Sequence, residues 1–175
     1  MKIGILGFGI LGHDAGLKLK NLGFDVIGYS LRRKKNSEIE IYHGDNLNSF
    51  LSKINVLVCT VPYTKKTHGL LNTKLFNKLK HPTYLINVSR GKVQVENDIK
   101  QSLKSGKLTG VFLDVFEVEP LPIESFIWNH KKIHITPHIA SITNVKAVIP
   151  QVVENYKRLL MGKNLSNLID LDRMY

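Results

Sequence analysis

A single cysteine, Cys59, stands in the 175-residue chain, so no disulfide forms within it and stability has to come from packing alone. A reducing compartment, the cytoplasm, suits such a chain. No apolar stretch approaches the roughly 18 residues that a membrane span requires, and neither a low-complexity linker nor an internal repeat breaks the sequence. Acidic residues are scarce, 14 against 25 Lys and Arg, for a formal net charge of +11. That balance attracts polyanions, phosphorylated ligands or acidic small molecules without choosing among them. Hydrophobic residues make up 43% and charged residues 22%, enough apolar side chain to offset the entropy of ordering and exclude global disorder. The length fits one domain at roughly 100 to 200 residues per domain. The run Ile3 to Gly12 after Lys2 superficially resembles a secretory leader. Its four glycines, and His13-Asp14 where a small-residue cleavage site would stand, argue against that reading.

Strand-length apolar runs alternate with amphipathic stretches from end to end, the pattern of crossover units on a parallel sheet. The expected strands are Lys2 to Leu6, Asp25 to Ser30, Glu38 to Tyr42, Asn55 to Thr60, Thr83 to Asn87, Leu108 to Leu113 and Ile133 to Thr136. Several are continuous runs, as strands buried on both faces should be. Helices are expected over Leu11 to Leu22, Asn46 to Ser52, Asn72 to Leu79 and Glu96 to Ser105. Gly23 and Gly106 stand where a stop is needed. A last helix carries Val145, Val148, Ile149, Val152, Val153, Tyr156, Leu159 and Leu160 at three- and four-residue steps, a face that should be buried. Pro150 should either delay its regular start to near Ile149 or kink it. The architecture expected is a Rossmann-type doubly wound α/β fold with a parallel sheet. It forms a single dinucleotide-binding domain over 1–162, followed by a C-terminal tail over 163–175.

Gly7, Gly9 and Gly12 spell GxGxxG directly after the first strand and before the first helix, the context that makes this otherwise weak pattern useful. Gly7 permits the tight turn, Gly9 clears space for a pyrophosphate, and Gly12 lets helix and strand pack closely. An anion would then sit on free N–H groups at the positive end of the helix. The competing reading is a tight strand-to-helix turn and nothing more. The second strand ends at Ser30, and Leu31 is followed by Arg32, Arg33, Lys34 and Lys35. A carboxylate here would hold an NAD ribose, whereas guanidinium groups would clamp a 2′-phosphate. NADP(H) is therefore favoured, with NAD(H) as the alternative. A solvated basic loop or a nucleic-acid patch would read the same way, but cations elsewhere are scattered, so neither nucleic acid nor membrane is expected as a partner.

Three further segments fall where loops should leave strand ends: Asn87-Val88-Ser89-Arg90-Gly91, Leu113 to Pro120, and Thr136-Pro137-His138-Ile139-Ala140. Together they offer an arginine, acidic residues and a histidine. Hydride transfer to a 2-oxo acid needs a cation for the substrate carboxylate and carbonyl, and an acid near neutral pH to protonate the oxygen. A carboxylate beside a histidine favours the imidazolium and fixes the ring. Taken singly, Arg90, Glu119 and His138 each have an ordinary structural reading. No metal-ligand set is assigned.

The motifs LGFGILG, VPYTKKTHGLLN from Val61, INVSRG from Ile86, SGKLTGVFLDVFEVEPLP from Ser105 and ITPHIASIT from Ile135 extend over almost the whole chain. They resemble the D-isomer-specific 2-hydroxyacid dehydrogenases, most closely the glyoxylate/hydroxypyruvate reductase branch. The resemblance implies that Arg90 binds substrate and polarises its carbonyl, Glu119 is the carboxylate partner, and His138 is the proton donor. It also implies cofactor contacts from Ile10, Leu11, Ser30, Val61, Pro62, Val88, Ser89, Arg90, Asp114, His138 and Ser141. Members of that family carry a substrate domain ahead of the glycine-loop strand, and this chain starts at that strand. Leu165, Leu168, Ile169 and Leu171 of the tail would then lack the domain they cover, leaving them disordered, packed on the coenzyme domain, or used in association. A homodimer is expected, because family members associate through the coenzyme domain and Leu121, Ile123, Phe126, Ile127 and Trp128 make an apolar cluster in a loop. The leading reading is an NADP(H)-dependent reductase domain acting on a small 2-oxo acid. The alternative is a catalytically impaired, truncated dinucleotide-binding or dimerisation module.

Overall fold

Seven strands, β1 (Lys2–Leu6), β2 (Asp25–Ser30), β3 (Glu40–His43), β4 (Val56–Cys59), β5 (Thr83–Asn87), β6 (Leu108–Leu113) and β7 (Ile133–Ile135), form one sheet in the order β3-β2-β1-β4-β5-β6-β7. Every pairing is parallel. The computed structural model describes residues 1–32 and 38–172. It divides into two compact units, 1–138 and one beginning at Ile139; the expected boundary at residue 162 falls within the second. The sheet lies wholly in the first unit. The interior strand β1 pairs with β2 on one side and β4 on the other, Ile5 standing opposite both Gly28 and Val58.

β4 is shorter than its apolar run, and the side chains of both flanking residues bond to the neighbouring segment at β1. The Asn55 side chain accepts the Lys2 N–H at 2.8 Å, and the Thr60 hydroxyl donates to the Gly7 carbonyl at 2.9 Å. Between the strands lie α1 (Ile10–Asn21), α2 (Leu47–Leu51), α3 (Thr73–Phe76) and α4 (Glu96–Lys104). α3 is half the expected length. Asn72 stands outside it as a cap, its side-chain oxygen accepting the Leu75 N–H at 3.0 Å, and 77–79 continue as turns. Just past the end of α1 and its C-cap Leu22 stands Gly23, whose φ of +88° is left-handed.

The pleat of the central strands sends alternate residues to two cores. On one face Leu6, Ile27, Leu57, Cys59 and Leu85 pack with Phe50, Leu51, Ile54, Phe76 and Leu103. On the other, Ile3, Ile5 and Val26 pack with Phe8 and Ile39, joined by Leu17 of α1. Helices on both faces make the fold doubly wound, as the alternating pattern predicts.

The second unit contains α5 (Val145–Leu160), which runs through Pro150 from a start at Val145 rather than near Ile149. Pro150 is the sixth residue, so it leaves out one early helix bond without ending the helix. The expected burial of the apolar face is not observed: Val145, Val152, Tyr156, Leu159 and Leu160 are all exposed. The tail is tied back rather than loose. Asn155 accepts the backbone N–H and hydroxyl of Ser166 at 2.9 and 2.8 Å and donates to its carbonyl at 3.1 Å. Leu168, Ile169 and Leu171 remain exposed. The apolar loop cluster expected as one patch is divided, since Ile127 is buried and Leu121 and Phe126 pack against the core, leaving Ile123 and Trp128 exposed.

Candidate functional site

Seven parallel strands bring all their C-terminal ends to one edge, and the strand order reverses between β1 and β4, where open sheets hold ligands. The glycine turn fills that reversal. Gly7, with φ +98°, sits so close to the start of the β4 loop that a Cβ there would lie 2.6 Å from the Val61 nitrogen. At Gly12 a Cβ would meet the Gly7 carbonyl oxygen at 2.7 Å. Both glycines are thus demanded by the protein's own packing. Gly9 is different: its nearest would-be neighbour is 3.8 Å away, so nothing internal requires it, and the open space is of the kind a ligand backbone contact needs. The first helical bond of α1 runs from the His13 N–H to the Gly9 carbonyl at 3.0 Å, leaving the Ile10, Leu11 and Gly12 N–H groups ahead of it. These donors and the helix dipole suit an anion. The side chains of Ile10 and Leu11 are exposed. Ser30 ends β2 half-buried and Arg32 is exposed just beyond, while Arg33 lies outside the described residues. On the β4 side Val61 is buried and Pro62 exposed.

The second cluster is built on the ends of β5, β6 and β7. Buried Asn87 organises the first loop: its side-chain oxygen accepts the Ser89 N–H at 3.0 Å and the Ser89 hydroxyl at 2.7 Å, and its amide donates to Gln94 at 2.8 Å. Gln94 in turn donates to the Val115 carbonyl at 3.1 Å, tying the β5 loop to the β6 loop. A Cβ on Gly91 would lie 1.6 Å from the Phe116 oxygen, so these two loops touch backbone to backbone. Beyond that contact, Glu96 and Glu117 each accept the other's N–H, at 2.8 and 2.6 Å. Val88 is half-buried and Ser89 buried. Arg90 projects outward from this clamp, exposed, with one guanidinium N–H donating to the Ser89 carbonyl at 2.7 Å.

Glu119 and His138 are brought together. The His138 Nδ1 lies 2.8 Å from Glu119 Oε2, and Glu119 Oε1 accepts the Phe116 N–H at 3.0 Å. A carboxylate can only accept, so Nδ1 carries hydrogen and Nε2 is the nitrogen free for chemistry. Partial burial pushes the Glu119 carboxyl up, but the hydrogen bonds from His138 and Phe116, with the imidazolium charge, outweigh it and hold the group below its ordinary 4.5. His138 has a left-handed backbone, φ 55°, an arrangement that costs a non-glycine residue about 1 to 2 kcal/mol. Asp114 is buried and accepts the Thr136 hydroxyl at 2.5 Å, linking the β6 and β7 loops. Ser141 lies in the second unit and is exposed. The Asn87, Gln94, Glu96 and Glu117 ties were missed from sequence. Gln94 and Glu96 find their partners 21 residues away, and only the strand-end position of Asn87 gave a signal.

A parallel sheet carrying a glycine turn at its reversal defines the Rossmann class of dinucleotide-binding domains. The family described as D-isomer specific 2-hydroxyacid dehydrogenase, NAD binding domain, matches residues 1–140, and the chain belongs to it. Among curated relatives it is 38% identical over 174 residues to glyoxylate/hydroxypyruvate reductase A of Escherichia fergusonii, covering 99% of this chain and 56% of that protein. The chain therefore spans little more than half the length of such relatives. Among solved structures it matches an NADPH-dependent glyoxylate/hydroxypyruvate reductase of Sinorhizobium meliloti in complex with NADP and sulfate, with a TM-score of 0.95 and 38% identity, covering 100% of this chain and 57% of that one. A D-isomer specific 2-hydroxyacid dehydrogenase from Xanthobacter autotrophicus in complex with NADPH and MES gives 0.95 and 40%, with 100% and 73% covered. No helix among the described residues is long and apolar enough to cross a membrane.

Proposed function

We propose that this chain is the coenzyme-binding and proton-donating part of an NADP(H)-dependent reductase of small 2-oxo acids of the glyoxylate or hydroxypyruvate class. The observation that carries this reading is the 2.8 Å pair of His138 Nδ1 and Glu119 Oε2, on the same sheet edge as the glycine turn. Bound nicotinamide would supply the hydride. The Ile10, Leu11 and Gly12 N–H groups receive the pyrophosphate against the bare Gly9, and Ser30 with Arg32 receives the 2′-phosphate. Val61, Pro62, Val88 and the backbone around Ser89 and Asp114 line the remaining length, while Ser141 keeps its assignment from the family resemblance alone. Arg90, aimed outward by the Asn87 clamp, holds the substrate carboxylate and polarises its carbonyl. The imidazolium of His138, steadied by Glu119, delivers a proton from Nε2 to the substrate oxygen.

NADP-bound or NADPH-bound relatives and the absence of an acidic residue between Ser30 and Lys35 support the cofactor preference. Exposed Ile123 and Trp128 support association into a homodimer through the segment 120–130, and the single buried cysteine supports a cytoplasmic setting. The test is a calorimetric titration with NADPH and with NADH, followed on the same sample by reduction of glyoxylate and hydroxypyruvate. NADPH should bind more tightly, and Arg32→Glu should erase much of the difference, each charge-assisted contact being worth about 1.5 to 3 kcal/mol. Equal affinity for both dinucleotides would refute the assignment of Arg32.

A further inference from the structure

β2 and β3 end side by side at the C-terminal edge of the sheet, with Ser30 opposite His43 in register. Neighbouring strands lie about 4.8 Å apart, and residues in register put their side chains on the same face. The neighbouring pairs show which face this is. Tyr29 and Tyr42 both meet the Phe50 ring on one side, whereas Ile41 packs in the Phe8 core on the other, where a Cβ on its partner Gly28 would run into the Phe8 ring. Ser30 and His43 therefore share the face of Phe8 and the glycine turn. We propose that His43 is a ligand of the adenosine 2′-phosphate and, with Ser30 and Arg32, sets the preference for NADP(H) over NAD(H), an inference that rests on the cofactor reading above.

No structural duty accounts for a histidine at this position. His43 is the N-cap residue of the short turn Gly44–Asn46, yet its side chain caps nothing, and Ser, Thr, Asp or Asn would serve a cap better. The ring is half-buried and joins no hydrogen bond, ion pair or ring contact among the described residues. Acids close in sequence are engaged elsewhere. Glu38 pairs with Lys20 at 3.9 Å, Glu40 lies on the Tyr42 face, and the charge of Asp45 acts on Tyr29. The backbone at His43 is nonetheless held, by its pairing with β2 and by the Tyr29 hydroxyl, which donates to the Gly44 carbonyl at 2.7 Å.

The glycine turn leads a dinucleotide to this place. The Gly7 and Phe8 N–H groups donate to the Tyr29 carbonyl at 3.0 and 2.8 Å, which holds the bare Gly9 beside the end of β2. A pyrophosphate resting on the N–H groups of Ile10, Leu11 and Gly12 puts its adenosine ribose at that strand end. A phosphate monoester brings close to two negative charges and three strong acceptor oxygens. Ser30 offers one hydroxyl, and Arg32, which joins no ion pair among the described residues, offers a planar fork. Both come from the end of β2. An imidazole N–H from β3 adds a donor on the neighbouring strand, so the phosphate is held from two sides, and a ribose without the phosphate leaves that donor unused.

The test is calorimetry of the full chain with NADPH, NADH, 2′,5′-ADP and ADP. His43→Ala should weaken NADPH and 2′,5′-ADP about tenfold while leaving NADH and ADP within about twofold. His81→Ala, which removes an exposed histidine elsewhere on the sheet domain, should change none of the four by more than about twofold. Should His43→Ala fail to fold by circular dichroism, modification of the unaltered chain by diethylpyrocarbonate, located by mass spectrometry, replaces it: 2′,5′-ADP should protect His43 and ADP should not. Equal losses for NADPH and NADH, or protection that does not distinguish the two nucleotides, would overturn the proposal and leave His43 a support for the strand end. Selectivity that Arg32→Glu erases and His43→Ala leaves intact would overturn it too, with the NADP(H) reading still standing. A parent chain that binds neither NADPH nor 2′,5′-ADP would overturn both.

Discussion

Gly9 and Gly91 differ in why a side chain is excluded, and that difference can be measured. A Cβ at Gly91 would overlap the Phe116 carbonyl at 1.6 Å. Gly91→Ala should therefore force two backbones apart and cost about 3 kcal/mol or more in urea unfolding. Gly9 has no neighbour closer than 3.8 Å, so Gly9→Ala should leave stability within about 1 kcal/mol while weakening NADPH binding in the same titration. Two carboxyls offer opposite signs with pH. Glu119 is held below 4.5, so its contribution is present above that value and lost as pH falls through the lower folded value. Glu119→Gln should lower the unfolding free energy at pH 7 and converge with the parent in acid. Burial raises Glu96, and the charge of Glu117 adds to that rise against the opposing hydrogen bond from the Glu117 N–H. Its contribution is present below 4.5 and lost as pH rises through the folded value. Glu96→Gln keeps an acceptor for the Glu117 N–H and should raise stability at pH 7, the gain vanishing in acid.

At the scale of elements, the strands were the most legible part of the sequence, because burial on both faces demands runs such as Asn55 to Thr60 that no amphipathic helix would show. Their ends were less so, since the residues flanking β4, Asn55 and Thr60, bond to Lys2 and Gly7, contacts more than 50 residues apart. The site divided along the same line. Arg90, Glu119 and His138 could be picked out, because their residue types and strand-end positions both pointed to chemistry. The Gln94 and Glu96 ties could not, having no local pattern. α5 was correctly placed but wrongly buried, since periodicity reports that a face is apolar and not what covers it. Its proline gives a direct test: Pro150→Ala restores a donor for the Lys146 carbonyl and should raise helix stability by up to about 3 kcal/mol. Amide exchange across 146–156 would register this as slower exchange.

For the whole molecule, the proposed chemistry is one-sided. The side chain of His138 is 46% exposed, and Arg90 is exposed as well, so a small acid held here meets water on its far side. Positioning and exclusion of water supply roughly 7 to 11 kcal/mol of a catalysed barrier. The isolated chain should therefore bind NADPH yet reduce glyoxylate far more slowly than about 1 per second. Faster turnover that His138→Ala abolishes would mean that a partner chain closes the site. Light scattering should report a dimer, and a mass near 20 kDa at high concentration would refute the proposed association.

The position of β1 has a bearing on how such a sheet is born. β1 is hydrogen-bonded on both sides, yet its partner β4 begins at Val56, roughly 50 residues after Leu6. At a synthesis rate of about 5 to 20 residues per second, β1 would wait roughly 3 to 10 seconds for its second neighbour. During that interval the nascent chain offers Ile3, Ile5 and Leu6 with an open edge, the feature most prone to pairing with a foreign strand. Holding factors at the ribosome exit, or pauses placed after β4 rather than before it, would shorten the exposure. Yield in the cell should respond to the pace of translation across residues 7–55 more than to the stability of the finished fold.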